Sequence, residues 1–227
     1  MKKLIYMMVL LCMGMTAWGN PTSYTYSFDG ITNNTPANVV IGEAQLFMDV
    51  TAYGSNQVMF TFRNTGPQPS FIAAIYFKDG SLLAPIAYLQ DVDDSIASVF
   101  GDPNVDFSEG TSGNGLPGGD STWKISNGFI VDDASADSPG TNKDGVDPGE
   151  WLAIVFNLQS GSNFGNVIYE LDNDELQIGL HVQGIGTNSG SESFANNGRV
   201  TVPVPAGVLL VGVGVSLVGW LRRRRMV

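Results

Sequence analysis

Apolar residues recur at every second position along much of this chain, and a period of two is the signature of a half-buried β-strand. Ser23 to Phe28 places Tyr24, Tyr26 and Phe28 on one face. Gln45 to Thr51 does the same with Leu46, Met48 and Val50, and Gln57 to Arg63 with Val58, Phe60 and Phe62 before Asn64-Thr65-Gly66 breaks the run. Phe71 to Lys78 is almost continuously apolar, which predicts burial on both faces. Asp79-Gly80 ends it, and Ser81 to Leu89 is expected to return beside it as a partner strand. Trp123 to Val131, Glu150 to Leu158 and Glu175 to Gln183 complete the clear strands, the last with Leu176, Ile178, Leu180 and Val182 facing one way. Phe164 to Leu171 is either a short helix or a helical turn. No segment has the pattern of an amphipathic helix of three turns or more, no βαβ rhythm appears, and no unit repeats at a fixed period. The fold class that follows is all-β, an antiparallel β-sandwich of jelly-roll or Ig-like type.

The two ends differ from the body. Met1 to Gly19 has a basic start (Lys2, Lys3), an apolar run from Leu4 to Met15 and a small-residue ending. Those three parts make a signal peptide, with Ala17 and Gly19 before the cleavage point and Asn20 as the mature N-terminus. Cys12, the only cysteine, lies within it as apolar filler, because Leu10-Leu11 is unsuited to a lipidated cysteine. The mature chain then has no disulfide, no thiol nucleophile and no thiolate metal site. Residues 20–201 form one domain large enough to be stabilised by burial alone.

At the other end, residues 202–227 have three parts. Val202, Pro203, Val204, Pro205 and Ala206 open it, and the prolines mark extended backbone just outside a helix. An uncharged apolar run from Ala206 to Leu221 is expected to be a short transmembrane helix. Arg222, Arg223, Arg224 and Arg225 then hold that end on the cytoplasmic side. This arrangement resembles the PEP-CTERM sorting signal of Gram-negative bacteria. The resemblance implies an exosortase-type membrane protease as partner, retention at the inner membrane before processing, and release to the cell surface or the exopolysaccharide matrix. Val204 stands where the family's usual motif has Glu. The alternative is an ordinary C-terminal anchor with a positive stop.

The body also resembles a recurrent domain of PEP-CTERM proteins. The resemblance rests on Gly-Ser-Asn-Gln-Val-Met-Phe-Thr-Phe at 54–62, Ile-Tyr-Phe-Lys-Asp-Gly at 75–80, Leu-Pro-Gly-Gly at 116–119 and Gly-Val-Asp-Pro-Gly-Glu at 145–150. Phe-Asn-Leu-Gln-Ser-Gly at 156–161, His-Val-Gln-Gly at 181–184 and Ser-Glu-Ser-Phe at 191–194 extend it. It implies an exported surface protein and transfers no reaction.

Charge narrows the partners. Lys2, Lys3 and the four tail arginines account for six of the 11 basic residues, while all 22 acids lie in the body, leaving the body near −17. Such a surface repels nucleic acid and anionic lipid, and suits divalent cations, cationic partners or solubility.

Catalytic and metal motifs are sparse. His181 is the only histidine and falls on the strand face opposite Leu180 and Val182, a structural or exposed position. Serines and acids for a Ser-His-Asp system exist, but no Gly-x-Ser-x-Gly elbow does. One histidine without a mature cysteine cannot supply the usual zinc ligands. No phosphate loop or dinucleotide fingerprint appears. A glycosidase-like carboxylate pair is open, since spacing in space is not read from sequence. For calcium, Asn142-Lys143-Asp144-Gly145 has the heart of an EF-hand loop, but its first and last ligand positions fall on Gly140 and Trp151. A looser oxygen site of Asp144, Asp147 and Glu150 is the remaining metal candidate. Asp91, Asp93 and Asp94 form a second acidic cluster, and Asp172, Asp174 and Glu175 a third. Trp123 and Trp151 are expected in the core at strand starts, and Phe107 to Ser121 and Asp132 to Gly149 are expected to be long loops.

The expected function is an exported, non-enzymatic surface or exopolysaccharide-matrix protein. Its rivals are a calcium-assisted carbohydrate-binding module and a secreted hydrolase.

Overall fold

The computed structural model describes residues 23–79, 82–89, 104–110, 115–119, 126–131, 144–187 and 189–200. Residues 1–19, expected to be a signal peptide, and the whole of residues 202–227 therefore lie outside the described residues. So do Trp123 and the cluster of Asp91, Asp93 and Asp94. Among the described residues, no helix is long and apolar enough to cross a membrane.

Ten strands follow the chain: β1 (Ser23–Gly30), β2 (Leu46–Tyr53), β3 (Gln57–Asn64), β4 (Phe71–Lys78), β5 (Leu83–Leu89), β6 (Phe107–Glu109), β7 (Asn127–Val131), β8 (Trp151–Leu158), β9 (Gln177–Ile185) and β10 (Gly190–Arg199). Two helices, α1 (Pro36–Gln45) and α2 (Phe164–Asp172), are each shorter than three turns. The strands form one antiparallel sheet in the order β5-β8-β3-β2-β1-β10-β9-β4-β7-β6.

The sheet curls, and aromatic packing shows how far. β3 and β4 are five places apart in the strand order, yet the Phe60 and Phe77 rings lie 5.2 Å apart, edge to face. Phe77 also meets Phe156 of β8 at 4.9 Å and Phe129 of β7 at 5.8 Å. These distances suit edge-to-face ring pairs, which favour contact beyond the area they bury. The two wings thus face each other over one core, and β1 and β10 join them. Tyr26, Phe28, Leu46, Met48, Val50, Val58, Phe60 and Phe62 are all fully buried, as the alternation predicts. Phe71 to Phe77 are buried without interruption, as expected of a strand covered on both faces.

Several local expectations are corrected. β5 does not return beside β4; it pairs with β8 at the far edge, with Leu83 opposite Leu158. Both edges of β4 are already occupied, by β9 and β7. The Asp79 carboxylate accepts the Leu82 and Leu83 N–H groups, which ties the start of β5 to the end of β4. Phe107 to Glu109 begin the expected glycine-rich loop as strand β6, paired with β7. Trp151 is half-buried rather than a core residue.

β10 has no alternating apolar signature, yet it sits in the middle of the sheet, paired with β1 and β9. α1 was also not anticipated. Its Val39-Val40-Ile41 run and Gly42 are poor helix formers. Pro36 at the first helical position is well placed, having no N–H to leave unsatisfied. Gly42 is required because a Cβ there would collide with the Phe194 ring, so the helix backbone lies directly on β10.

Candidate functional site

Among the described residues, the functional candidate is a cleft of about 180 Å³ lined by Thr32, Asn34, Pro117, Gly118, His181, Ser191, Glu192 and Ser193. Four segments build it: the connection after β1, the 115–119 turn, β9 and β10. Ser193 stands opposite His181 in the β10–β9 ladder, and Ala74 of β4 stands on the other side of His181. This is the outer face of the sheet, away from the aromatic core, since Leu180 and Val182 are fully buried while His181 is only half-buried.

The connection after β1 is fastened to β10 by its own backbone. The Ser193 carbonyl accepts the Ile31 N–H at 2.8 Å and the Thr32 N–H at 3.3 Å. The Ser193 N–H in turn donates to Thr32 Oγ1 at 2.8 Å, and Asn34 Nδ2 donates to the Ser191 carbonyl at 2.8 Å. The other wall is the turn carrying Pro117 and Gly118. It is anchored by Leu116, which is buried against Ala74 and Tyr76 on the outer face. Gly118 has φ +75° and a Cβ there would run into the Thr32 methyl group, so only glycine suits both the backbone and the wall.

Glu192 is 1% exposed, and a buried carboxylate must be compensated. Its Oε2 accepts the Thr32 hydroxyl at 2.6 Å and the Asn34 N–H at 3.1 Å, and its Oε1 accepts the Thr35 N–H at 2.7 Å. These donors lie at the N-terminus of α1, whose positive end favours a negative charge. Both oxygens are thus committed to the protein.

The His181 imidazole is held below its ordinary pKa by burial, which disfavours the charged ring. Its Nδ1 lies 3.4 Å from Ser193 Oγ, a loose contact that leaves the hydroxyl able to bond elsewhere. A serine-histidine-acid system needs the acid on the second imidazole nitrogen. Glu192 is the buried acid of this cleft, and its oxygens serve Thr32, Asn34 and Thr35 instead. Besides Glu192, the described residues of the cleft offer hydroxyls, an amide and an imidazole beside one proline ring.

The sequence-based metal candidates Asp144, Asp147 and Glu150 lie on the segment that leads into β8. Glu150 Oε2 accepts the Asp147 N–H at 2.9 Å, and the Asp147 carbonyl accepts the Glu150 N–H at 2.9 Å, closing a turn. The Asp144 carbonyl accepts the Asp106 N–H at 2.8 Å. Among the described residues, no group of three or more His, Cys, Asp or Glu side chains is gathered as a metal ion requires, Asp144, Asp147 and Glu150 included.

Of the third acidic cluster, Asp174 and Glu175 are exposed, while Asp172 at the end of α2 pairs with Arg199 and accepts the Tyr26 hydroxyl at 3.1 Å. The Arg199 guanidinium also lies over the Tyr24 ring, 4.7 Å from its centroid, and Tyr24 stacks on Phe164 at 6.1 Å. Burial pushes the Tyr26 phenol upward, and the Asp172 charge adds to it. This group fastens α2 to β1 and β10.

Val202, Pro203, Val204, Pro205, Ala206 and Arg222 to Arg225, the expected sorting signal, lie outside the described residues. Sequence reasoning singled out His181 but missed Thr32, Asn34, Glu192 and Ser193. The one available signal was Ser-Glu-Ser at 191–193, where polar residues occupy a strand beside the lone histidine. No protein-family model, curated protein or solved structure matches this chain.

Proposed function

We propose that this chain is an exported, non-enzymatic surface or exopolysaccharide-matrix protein. It is held first at the inner membrane by residues 206–221 and then processed by an exosortase-type membrane protease. The observation that carries this reading is the ordered tail: Val202 to Pro205, the uncharged apolar run and Arg222 to Arg225. The geometry of the body is compatible with it. The Val200 N–H donates to the Thr25 carbonyl at 2.8 Å, and Tyr26 pairs with Arg199. β1 and β10 are therefore zipped together up to two residues before Val202. We class the curled sheet, on the same footing, as a β-sandwich of jelly-roll or Ig-like type, because its two wings pack face to face through Phe60, Phe77, Phe129 and Phe156.

Intact mass and fractionation of the protein from its native host test this, with and without Arg222 to Arg225. Loss of the tail beyond about residue 202, with the protein outside the cell and dependent on the arginines, is the expected result. A membrane-bound species running from Asn20 to Val227 overturns it.

A further inference from the structure

We infer that the Thr32–His181–Ser193 cleft is a binding site for a small neutral polyhydroxylated ligand, a polyol or one sugar ring. The inference is independent of how the chain is sorted.

Size and chemistry both point this way. At about 180 Å³ the recess falls below the roughly 300 Å³ where sites for drug-sized ligands begin. One ring or a short polyol is the scale that fits. Among the described residues lining it there is no lysine or arginine, so nothing recognises an anion. The Glu192 carboxylate already receives three donors, so it does not call for a cation. What is left gives and accepts hydrogen bonds: the exposed Ser191 hydroxyl, the Ser193 hydroxyl on the buried floor and the His181 imidazole do both, and the Asn34 carboxamide oxygen accepts. Vicinal hydroxyls on a neutral ligand match such a set, and Pro117 offers an apolar surface to the C–H face of a ring. The site is preformed as well. Glu192 and the Ser193 backbone fix the 31–35 segment, and Leu116 fixes the opposite wall. Little ordering is therefore needed on binding.

Because His181 is the only histidine, its ring gives one pair of imidazole C–H signals in the untagged full-length chain, purified in detergent. Those signals are followed during titration with D-glucose, D-galactose, glycerol, inorganic phosphate and ethanolamine. The expected result is a saturable shift, at millimolar concentration, with at least one neutral sugar or polyol and none with phosphate or ethanolamine. Ser191→Phe fills the cleft from an exposed position and abolishes the shift, while Ser193→Ala and Asn34→Ala each weaken binding about fivefold, the scale of one lost hydrogen bond. The methyl glycoside and a linear trisaccharide of the binding sugar distinguish a free-sugar site, which rejects them, from a chain-end site, which retains them. The inference is overturned if no neutral ligand gives a saturable shift. It is equally overturned if the shift survives in Ser191→Phe, or if phosphate or ethanolamine shifts the ring as strongly. Should Ser191→Phe not fold, Asn34→Ala, also at an exposed residue, carries the comparison.

Discussion

The Thr35 N–H donates to the Glu192 carboxylate at 2.7 Å, joining residues 157 positions apart. Thr35 is the N-cap of α1, but its own side chain makes no capping bond. A residue of the central strand β10 caps the helix in its place. The same carboxylate takes the Asn34 N–H and the Thr32 hydroxyl, so one side chain organises the whole connection between β1 and α1.

Glu192→Ala should therefore destabilise the protein by about 3 kcal/mol, since it strands buried donors that a charged acceptor had satisfied. Glu192→Gln keeps one acceptor oxygen and should cost less. Urea unfolding of both variants measures the difference, and a loss below about 1 kcal/mol for the alanine variant contradicts the capping role.

Gly42→Ala offers a test in which two effects have opposite signs. Helix propensity alone favours alanine by about 1 kcal/mol. The new Cβ, however, would meet the Phe194 ring in the core, and overpacking typically costs about 1–3 kcal/mol. Net destabilisation is expected in thermal unfolding; a more stable variant would show that α1 can lift off β10 without penalty.

The Asp172–Arg199 pair is part-exposed, with side chains 26% and 40% accessible, so solvent screens it. Its coupling in a double-mutant cycle of Asp172→Asn and Arg199→Ala should be about 1 kcal/mol or less and should shrink in high salt. Arg199→Lys should recover less than the full effect, because the guanidinium plane also lies on Tyr24.

His181 sets one limb of the pH profile. The fold holds its pKa below the ordinary value of 6.5, through burial. The unfolded chain then binds a proton where the native ring does not, so stability falls as pH drops below about 6.5. The loss levels off below the native pKa. Glu170 moves the opposite way: burial first, then Asp79 and Glu175, raise its pKa, so its protonation favours the fold in acid. The histidine contribution is accordingly read as the difference between the wild type and His181→Gln, whose stability should change less from pH 7 to pH 5.5. Identical slopes would mean that the ring is as accessible folded as unfolded.

The strands that face the core were legible because each carries its own signal. Val58, Phe60 and Phe62 alternate and are buried; Phe71 to Phe77 are apolar throughout and are buried throughout. β10 was not legible. Apart from Phe194 its residues are small or polar, and its place comes from backbone pairing with β1 and β9, which any sequence can supply. The cleft was hidden for the same reason. Thr32, His181 and Glu192 meet only because the connection after β1 folds back over β10.

The sequence by itself determined the β class, the core faces of the alternating strands and the acidic charge of the body, since periodicity and composition are properties of the chain alone. Only the tertiary structure decided which strands are neighbours. It sent β5 to β8 rather than to β4, placed α1 on Phe194, and gave the Glu192 charge its compensating donors. Those outcomes depend on which edges are already occupied and which donors need an acceptor, and both exist only once distant segments have met.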